Sequence, residues 1–399
     1  MRETRIALKI ARGKCVRTAF LTVVLPCFPC RGQVQPQRQP VLTQSQGSDQ
    51  EASSRSVSND SPQARDELQR GTVLTRQGRF KEAIPHLERA RAGLGNEYPI
   101  EFNLSLCYVG TGEYTKAIRM LDDLRRQQHD TADVENLLAQ AYIGNRQRQD
   151  ALDAVERAAA ISPKNEKLFA FVADACRDAQ DFELGLDVID IGLRDIPQSA
   201  RLHYERAVFL SDLDRFDSAK PDFKLAAKLG QGTEVGYTAL AHERLLEGNI
   251  AEAVRTARDG IHQGVQNPGL LVILGKALLL SGIAPGQPEF TEAQKALETV
   301  AAERPGDAGT LIGLGQLDLL SGRIDDAITY LEAARRMRPS EPSIYASLAK
   351  AYQRKGDAQK AQEAIRKLES LNQAQAERIR NAPGERKSGY TGTPSAQPK

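Results

Sequence analysis

Residues 105–124 read SLCYVGTGEYTKAIRMLDDL, and this stretch holds the pattern that decides the fold. Within it, a small residue at Ser105 is followed by Tyr108, Gly112 and Ala117. A similar order of small, large apolar, glycine and alanine positions recurs along the chain when the numbering advances by 34. A fixed period of about 20 to 50 residues is typical of proteins built from stacked repeats. We therefore predict that most of the chain is a repeat array.

Two columns of the alignment between repeats contain only small residues. The first column is Gly71, Ser105, Ala139, Ala173, Ala207, Ala241, Gly275, Gly315 and Ala349. The second column is Ala83, Ala117, Ala151, Gly185, Ala219, Ala253, Ala293, Ala327 and Ala361. Because alanine and glycine make up about a fifth of the chain, nine of nine in the second column would arise by chance on the order of one time in a million. Two helices that cross closely need small residues at their contact, so we predict paired helices.

Within each repeat, apolar residues recur three and four positions apart, as at Leu104, Cys107 and Tyr108, which predicts α-helix. A recurring glycine, as at Gly112, marks the end of the first helix, because a residue with positive φ closes a helix there. We predict nine repeats of two helices each, at residues 64–97, 98–131, 132–165, 166–199, 200–233, 234–267, 268–307, 308–341 and 342–375. The seventh repeat carries about six inserted residues within Ile283–Glu289, and we expect a neutral insertion, with a partner contact as the alternative.

These residues resemble the tetratricopeptide repeat (TPR) family, whose pattern is a small residue, a tyrosine, a glycine, an aromatic residue, an alanine and a late proline. Gly112–Ala117 and Tyr352–Ala361 are close matches, and the resemblance covers about 312 of the 399 residues. It implies an all-α fold, a right-handed superhelical α-solenoid of tandem helix-turn-helix repeats, with a concave surface lined mainly by the first helices. The family's tryptophan column holds Glu67, Glu101, Glu135 and Phe169 in the first four repeats, and Arg244 and Asp318 stand where the family has tyrosine. We expect looser packing in those repeats.

The composition predicts a globular protein without a nucleic-acid or catalytic role. The chain is 40% hydrophobic and 27% charged, with 54 basic and 52 acidic residues and a net charge of +2. A nucleic-acid-binding surface needs a clustered basic excess, so we expect no nucleic-acid partner. The five histidines show no metal-ligand spacing with Cys107 and Cys176, both of which we expect in the core. We therefore predict no metal, no cofactor and no enzyme activity.

The N-terminal residues have the order of an export signal. Six basic residues and one acidic residue in 1–17 precede an apolar run at 18–28. This run is about 11 residues, about half of what a membrane-spanning helix needs, so we predict a signal peptide at 1–32 and no transmembrane span. Attachment of a lipid to Cys27 and an organelle transit peptide are the alternatives. The sequence thus predicts an exported protein, either periplasmic or secreted.

Polar segments flank the predicted repeats. Residues 33–63 are rich in Gln, Ser and Pro and cannot bury enough apolar surface to offset the entropy of ordering. We predict a disordered linker there, and a helix extension followed by a disordered tail at 376–399.

A candidate binding surface follows from the resemblance. The family's geometry places the second, fifth, ninth, twelfth and thirteenth residues of each first helix on the concave surface. From these positions we select ten candidate groove residues: Phe102, Leu106, Asn136, Asp174, Tyr204, Leu245, Val272, Leu279, Ile312 and Leu319. Those in the early and middle repeats are mixed in character, whereas those in repeats six to eight are apolar.

Residues 270–280, LLVILGKALLL, are apolar on nearly every face, so something must cover them. A partner laid along the groove and burial by the protein's own chain both remain open. We predict a non-enzymatic scaffold that binds a protein partner, as an extended peptide or amphipathic helix, in the concave groove. The alternative is a lipid-anchored or oligomeric assembly component of a cell-envelope or secretion machine.

Overall fold

The structure is a computed structural model that describes residues 62–381, and within that range the regular elements are eighteen α-helices. The helices are α1 (Pro62–Arg76), α2 (Phe80–Leu94), α3 (Tyr98–Thr111), α4 (Tyr114–Arg126), α5 (Ala132–Gly144), α6 (Arg148–Ile161), α7 (Glu166–Ala179), α8 (Phe182–Asp195), α9 (Ala200–Asp212), α10 (Phe216–Leu229), α11 (Glu234–Leu246), α12 (Ile250–His262), α13 (Pro268–Leu280), α14 (Pro288–Glu303), α15 (Ala308–Leu320), α16 (Ile324–Met337), α17 (Pro342–Lys355) and α18 (Ala358–Asn381). The predicted all-α fold of tandem helical hairpins is confirmed. The predicted signal peptide (1–32), nearly all of the predicted linker (33–63) and the tail from 382 onward lie outside the described residues.

The helices belong to two compact units, with the division between Asp222 and Phe223 inside α10. In the first unit, α1 to α9 form successive hairpins, and each first helix also packs against the first helix of the next hairpin. The second unit repeats this arrangement from α11 to α18. Each unit is therefore an α-solenoid stack in which a hairpin rests on its neighbours.

The first small-residue column lies where the two helices of a hairpin touch. A Cβ added to Gly71 would lie 2.6 Å from Cγ of Leu87, and one on Gly275 would lie 2.7 Å from Cγ of Leu297. Leu87 is fully buried and Leu297 is 1% exposed, so the large residue fills the space that the small one leaves. The prediction of close helix crossings is confirmed at the first column, and its cause is the interlocking of one large and one small side chain. In the second column, a Cβ added to Gly185 would lie 2.4 Å from Cε1 of Phe209 on the first helix of the next repeat.

Every turn between the helices of a hairpin in residues 62–381 contains a residue with positive φ at the same repeat position, and the longer turn of the seventh repeat has a second one at Gly286. The nine residues are Gly78, Gly112, Arg146, Gln180, Asp214, Gly248, Gly282, Gly322 and Gly356, with φ between 57° at Gln180 and 82° at Gly356. The left-handed conformation ends the first helix even where the sequence does not supply glycine. Stacking therefore imposes the turn geometry on three residues that adopt it at a cost in backbone energy.

In the first three repeats, carboxylates occupy the column in which the family has tryptophan. The Glu135 side chain has no exposed surface, and its Oε2 accepts a hydrogen bond from Nε of Arg157 at 2.8 Å, with Nη1 of Arg125 3.5 Å from Oε1. Glu67 Oε2 accepts a hydrogen bond from Nη2 of Arg89 at 3.0 Å. Arginines of the second helices thus replace apolar contacts, and the expectation of looser packing does not hold at Glu135.

Several local features of the structure bear on other sequence-based expectations. Cys107 and Cys176 are fully buried free thiols, as expected for core residues, and burial raises the pKa of Cys107 to about 11.

In the inserted loop of the seventh repeat, Ile283 is 6% exposed, and Oε1 of Gln287 accepts a hydrogen bond from the Ala284 N–H at 2.7 Å. The insertion is anchored in the core of the second unit, and α18 continues the last repeat to Asn381.

Candidate functional site

The first helices of each unit lie side by side and form one face. In the first unit α3, α5, α7 and α9 pack in sequence, and in the second unit α11, α13, α15 and α17 do the same. Residues at one repeat position therefore line up across neighbouring helices. This alignment gives each unit a continuous surface on which the ten candidate groove residues can be located.

The ten candidates differ widely in exposure. Asp174 is exposed, and six candidates are half-buried: Phe102, Tyr204, Leu245, Val272, Leu279 and Ile312. The other three, Leu106, Asn136 and Leu319, are buried, with 6%, 8% and 7% exposure. These three offer little surface to a partner, because the packing of adjacent repeats covers them.

Asn136 shows how a candidate binding residue is used by the fold instead. Its Nδ2 donates a hydrogen bond to the carbonyl oxygen of Leu168 at 2.9 Å, which joins α5 to α7. Nε2 of Gln140 donates in turn to Oδ1 of Asn136 at 2.6 Å. The amide thus satisfies a carbonyl near the start of the next repeat, and its role in the described residues is structural.

The face of the first unit carries a charged cluster on α7 and α9. Arg177 donates through Nη1 to Oδ1 of Asp174 at 2.8 Å and through Nη2 to Oε2 of Glu205 at 2.5 Å. Its guanidinium carbon lies 5.1 Å from the centroid of the Phe209 ring. The cluster therefore places two carboxylates around one guanidinium.

The strongly apolar helix α13 is covered mostly by its own neighbours. It packs against α11, α12, α14 and α15. Leu270, Ile273 and Leu274 are buried, and within the helix only Lys276 and Leu280 are exposed. Of the two alternatives for residues 270–280, cover by a bound partner or by the protein's own chain, the structure supports the second for most of the helix. What remains for a partner is the C-terminal end of the helix.

Three leucines at the thirteenth repeat position form what we call the leucine ridge: Leu246, Leu280 and Leu320. They are the last residues of α11, α13 and α15. Leu280 is 58% exposed and Leu320 is 43% exposed, while Leu246 is half-buried. Most large apolar side chains of the described residues are covered, so two strongly exposed leucines in the same column of adjacent repeats form a patch of the kind that marks interaction sites.

Cations border the leucine ridge. Lys276 and Lys350 occupy the ninth position of their repeats and are exposed, and Arg354 occupies the thirteenth position beyond Leu320. Nη1 of Arg354 donates a hydrogen bond to the carbonyl oxygen of Leu319 at 2.5 Å, which fixes the guanidinium at the C-terminal end of α15. The Arg354 guanidinium therefore places a fixed positive charge next to the Leu320 end of the ridge.

His242 lies at the ninth position of α11, one repeat before Lys276. Its ring lies against the Phe223 ring, with centroids 4.5 Å apart and the ring planes tilted by 34°. Burial, aided by the positive charge of Lys276, lowers the pKa of His242 to about 3. His242 is consequently neutral at physiological pH and adds no charge to this face.

The exposed leucines of this face lie one residue beyond the predicted groove residues. Leu279 and Leu319 are the predicted residues, whereas Leu280 and Leu320 are the more exposed member of each Leu-Leu pair. Both members satisfy the same helical pattern, and neighbouring repeats decide which one is covered. Their thirteenth repeat position was the available signal.

Neither a membrane-spanning helix nor a metal site is found among residues 62–381. No helix in this range combines the length and the apolar character needed to cross a bilayer. The same residues contain no group of three or more His, Cys, Asp or Glu side chains arranged to hold a metal ion.

Comparison with known proteins gives one family. The sequence model of the tetratricopeptide repeat matches residues 74–141, 287–336 and 318–382. A TPR repeat-containing protein of Bacillus subtilis (strain 168), YpiA, is 25% identical over 254 residues, which cover 62% of this chain and 57% of YpiA. The chain thus spans less than two thirds of that relative.

Solved structures of low sequence identity are also similar. A chain of the APC/C hetero-tetramer Cut9–Hcn1 matches with a TM-score of 0.45 and 13% identity, covering 78% of this chain and 75% of that one. A tetratricopeptide repeat protein from Parabacteroides merdae matches with a TM-score of 0.44 and 17% identity, covering 63% of this chain and 97% of that one.

Proposed function

Because this chain is a tetratricopeptide repeat protein, we propose that it is a non-catalytic scaffold that binds a protein partner on the face formed by its first helices. Proteins of this family serve in general as platforms for protein–protein interaction. A repeat stack suits this role because it exposes a large surface while each hairpin is held by its neighbours.

The leucine ridge is the observation that carries the proposal. Leu280 and Leu320 are the two most exposed large apolar residues of the second unit's described part, and they share one face. An amphipathic helix or an extended peptide presents apolar side chains at intervals that suit such a row. The bound segment would cover leucines that the repeats leave in water, and the hydrophobic effect would drive its binding.

The test is affinity capture with a ridge variant and a matched control. Leu280→Asp with Leu320→Asp places two charges on the ridge, and we expect it to lose the proteins that the unaltered chain captures from its native cell extract. Val73→Asp with Ile161→Asp is the control, because these residues are 44% and 47% exposed but lie in the first unit. The control variant should capture the same proteins as the unaltered chain.

Undiminished capture by a folded ridge variant would show that the ridge does not bind the partner. If the ridge variant and the control variant both lose capture, the loss is caused by the added negative charge and not by the change at the ridge. Circular dichroism of each variant establishes that the helical repeats remain intact in the comparison.

We also propose that the protein is exported, on the strength of the basic residues and apolar run in its first 32 residues. Intact mass of the protein purified from its native cells tests this. A mature chain beginning at Gln33 supports a soluble exported scaffold. A diacylglycerol adduct on Cys27 would favour the alternative of an anchored assembly component, and a chain that retains Met1 and stays in the cytoplasm would contradict export.

A further inference from the structure

We propose that the segment bound at the leucine ridge is acidic: an apolar stretch flanked by Asp or Glu side chains. This inference rests on the proposed function and adds the charge of the partner to it. It concerns only the second unit, whose four first helices supply the whole face. The recognised groups are side-chain carboxylates beside apolar anchors.

The charge inventory of the face is one-sided. The second, fifth, ninth, twelfth and thirteenth positions of α11, α13, α15 and α17 include no Asp or Glu. They include three permanent cations, Lys276, Lys350 and Arg354. With the neutral His242 at the remaining titratable position, every charged group at these positions of the face is positive.

These cations are not neutralised by the protein itself. Neither Lys276 nor Lys350 forms an ion pair within residues 62–381, and the hydrogen bond of Arg354 to the Leu319 carbonyl leaves its positive charge unbalanced. Elsewhere in the second unit, cations such as Arg258 are matched, since Nη2 of Arg258 lies 2.6 Å from Oε2 of Glu292. A carboxylate that approaches the ridge therefore gains attraction without displacing an existing partner.

Charge also argues against two other occupants of the ridge. The apolar run at 18–28 of this chain is bordered by Arg17 and Arg31, which would be repelled by Lys276 and Lys350. A second copy placed ridge to ridge by two-fold symmetry would bring the same lysines toward each other. An acidic partner segment is the occupant that the charges favour.

The experiment selects peptides from a random 20-residue display library on the full chain. We expect sequences that combine Leu, Ile or Phe with Asp or Glu. Lys276→Glu with Lys350→Glu should invert the preference, so that Lys and Arg replace the acids in the selected sequences. Synthetic peptides from the first selection should bind this variant at least about tenfold more weakly than the unaltered chain. Lys295→Glu with Lys367→Glu, on α14 and α18, is the control with an equal charge change and should leave the preference unaltered.

The outcomes separate the charge inference from the proposed function. Selected peptides that bind through Leu280 and Leu320 but show no acidic enrichment, or no inversion, overturn the charge inference alone. Binders that are insensitive to Leu280→Asp with Leu320→Asp, or failure to select any, overturn both. A photocrosslinking residue placed at position 280 identifies which molecule or segment covers the ridge. A crosslink to residues 1–61 of the same chain, or to a second copy, identifies one of those occupants and overturns the acidic partner.

Discussion

Nε of Arg157 donates a hydrogen bond across 2.8 Å to Oε2 of Glu135, a carboxylate whose side chain has no exposed surface. The pair joins α5 to α6 in the column where Phe169, one repeat later, is fully buried. Burial raises the pKa of Glu135, and the charge of Arg157 works against that rise. Removing one partner of such a buried ion pair lowers the free energy of unfolding strongly, because the other charge stays buried without a counter-charge. Replacing the buried charges with apolar residues of similar size often leaves stability unchanged or raises it.

Arg157→Ala should destabilise the third repeat by about 2 kcal/mol, because it leaves a buried carboxylate with only Arg125 nearby. Glu135→Leu should be neutral or stabilising, since it removes the buried charge and restores an apolar contact. Hydrogen exchange of the α5 and α6 amides measures the local free energy of opening. Glu135→Leu costing more than Arg157→Ala would contradict this account.

Arg146→Gly should stabilise the turn between α5 and α6. Arg146 is exposed and has φ of 61°, a conformation that costs a side-chain-bearing residue about 1 kcal/mol or more. We expect a gain of about 0.5 to 1 kcal/mol in the free energy of unfolding, from urea denaturation. Gly112→Ala is the reciprocal control, because no atom lies within 4 Å of the added Cβ and its φ is 81°. It should lose about 1 kcal/mol, and a loss for Arg146→Gly would disprove the strain argument.

Acid should destabilise the second unit through His242. The folded-state pKa of about 3 lies below the ordinary histidine value of 6.5, so the folded protein keeps this ring neutral while the unfolded chain takes up a proton. The contribution of His242 is therefore fully present above about pH 6.5 and is lost as the pH falls toward about 3. His242→Phe, which keeps a ring against Phe223, should lose less stability over that window than the unaltered chain. An NMR titration that places the His242 pKa near 6.5 would remove the basis of this prediction.

The adjacent leucines of each Leu-Leu pair should respond differently to substitution. Leu319 is 7% exposed, so Leu319→Asp should cost about 3 kcal/mol or more of stability by burying a charge in the core. Leu280 is 58% exposed, and Leu280→Asp should change stability by less than about 0.5 kcal/mol. Thermal unfolding of the two single variants distinguishes these effects. Equal losses would mean that the ridge is part of the core and unsuitable as a binding surface.

Much of the fold could be read from local patterns. Small residues such as Gly71 and Ala83 mark the helix crossings, and Gly112 marks the end of a first helix, because these features depend on steric demands within one hairpin. The turns at Arg146 and Gln180 lack that signal. Their positive φ follows from the stack, in which hairpins on both sides require the same turn.

The candidate site was less predictable than the fold. Asn136 belongs to a pattern of groove positions, yet its amide is occupied by the Leu168 carbonyl of the neighbouring repeat. Leu279 and Leu280 are equivalent in an amphipathic pattern, and their difference in exposure comes from contacts with α11 and α15. Periodicity identifies which face of a helix can carry a site, but not which side chains on it stay in water.

The sequence by itself determined the repeat, its register and the helical hairpin, because period and residue size act over 34 residues and do not depend on distant contacts. Only the tertiary structure decided that α13 is covered by its own neighbours while Leu280 and Leu320 remain exposed. The physical reason is that burial on a first helix depends on side chains contributed by the repeats before and after it. Those contacts join residues that are far apart in the chain, and a single-repeat pattern does not contain them.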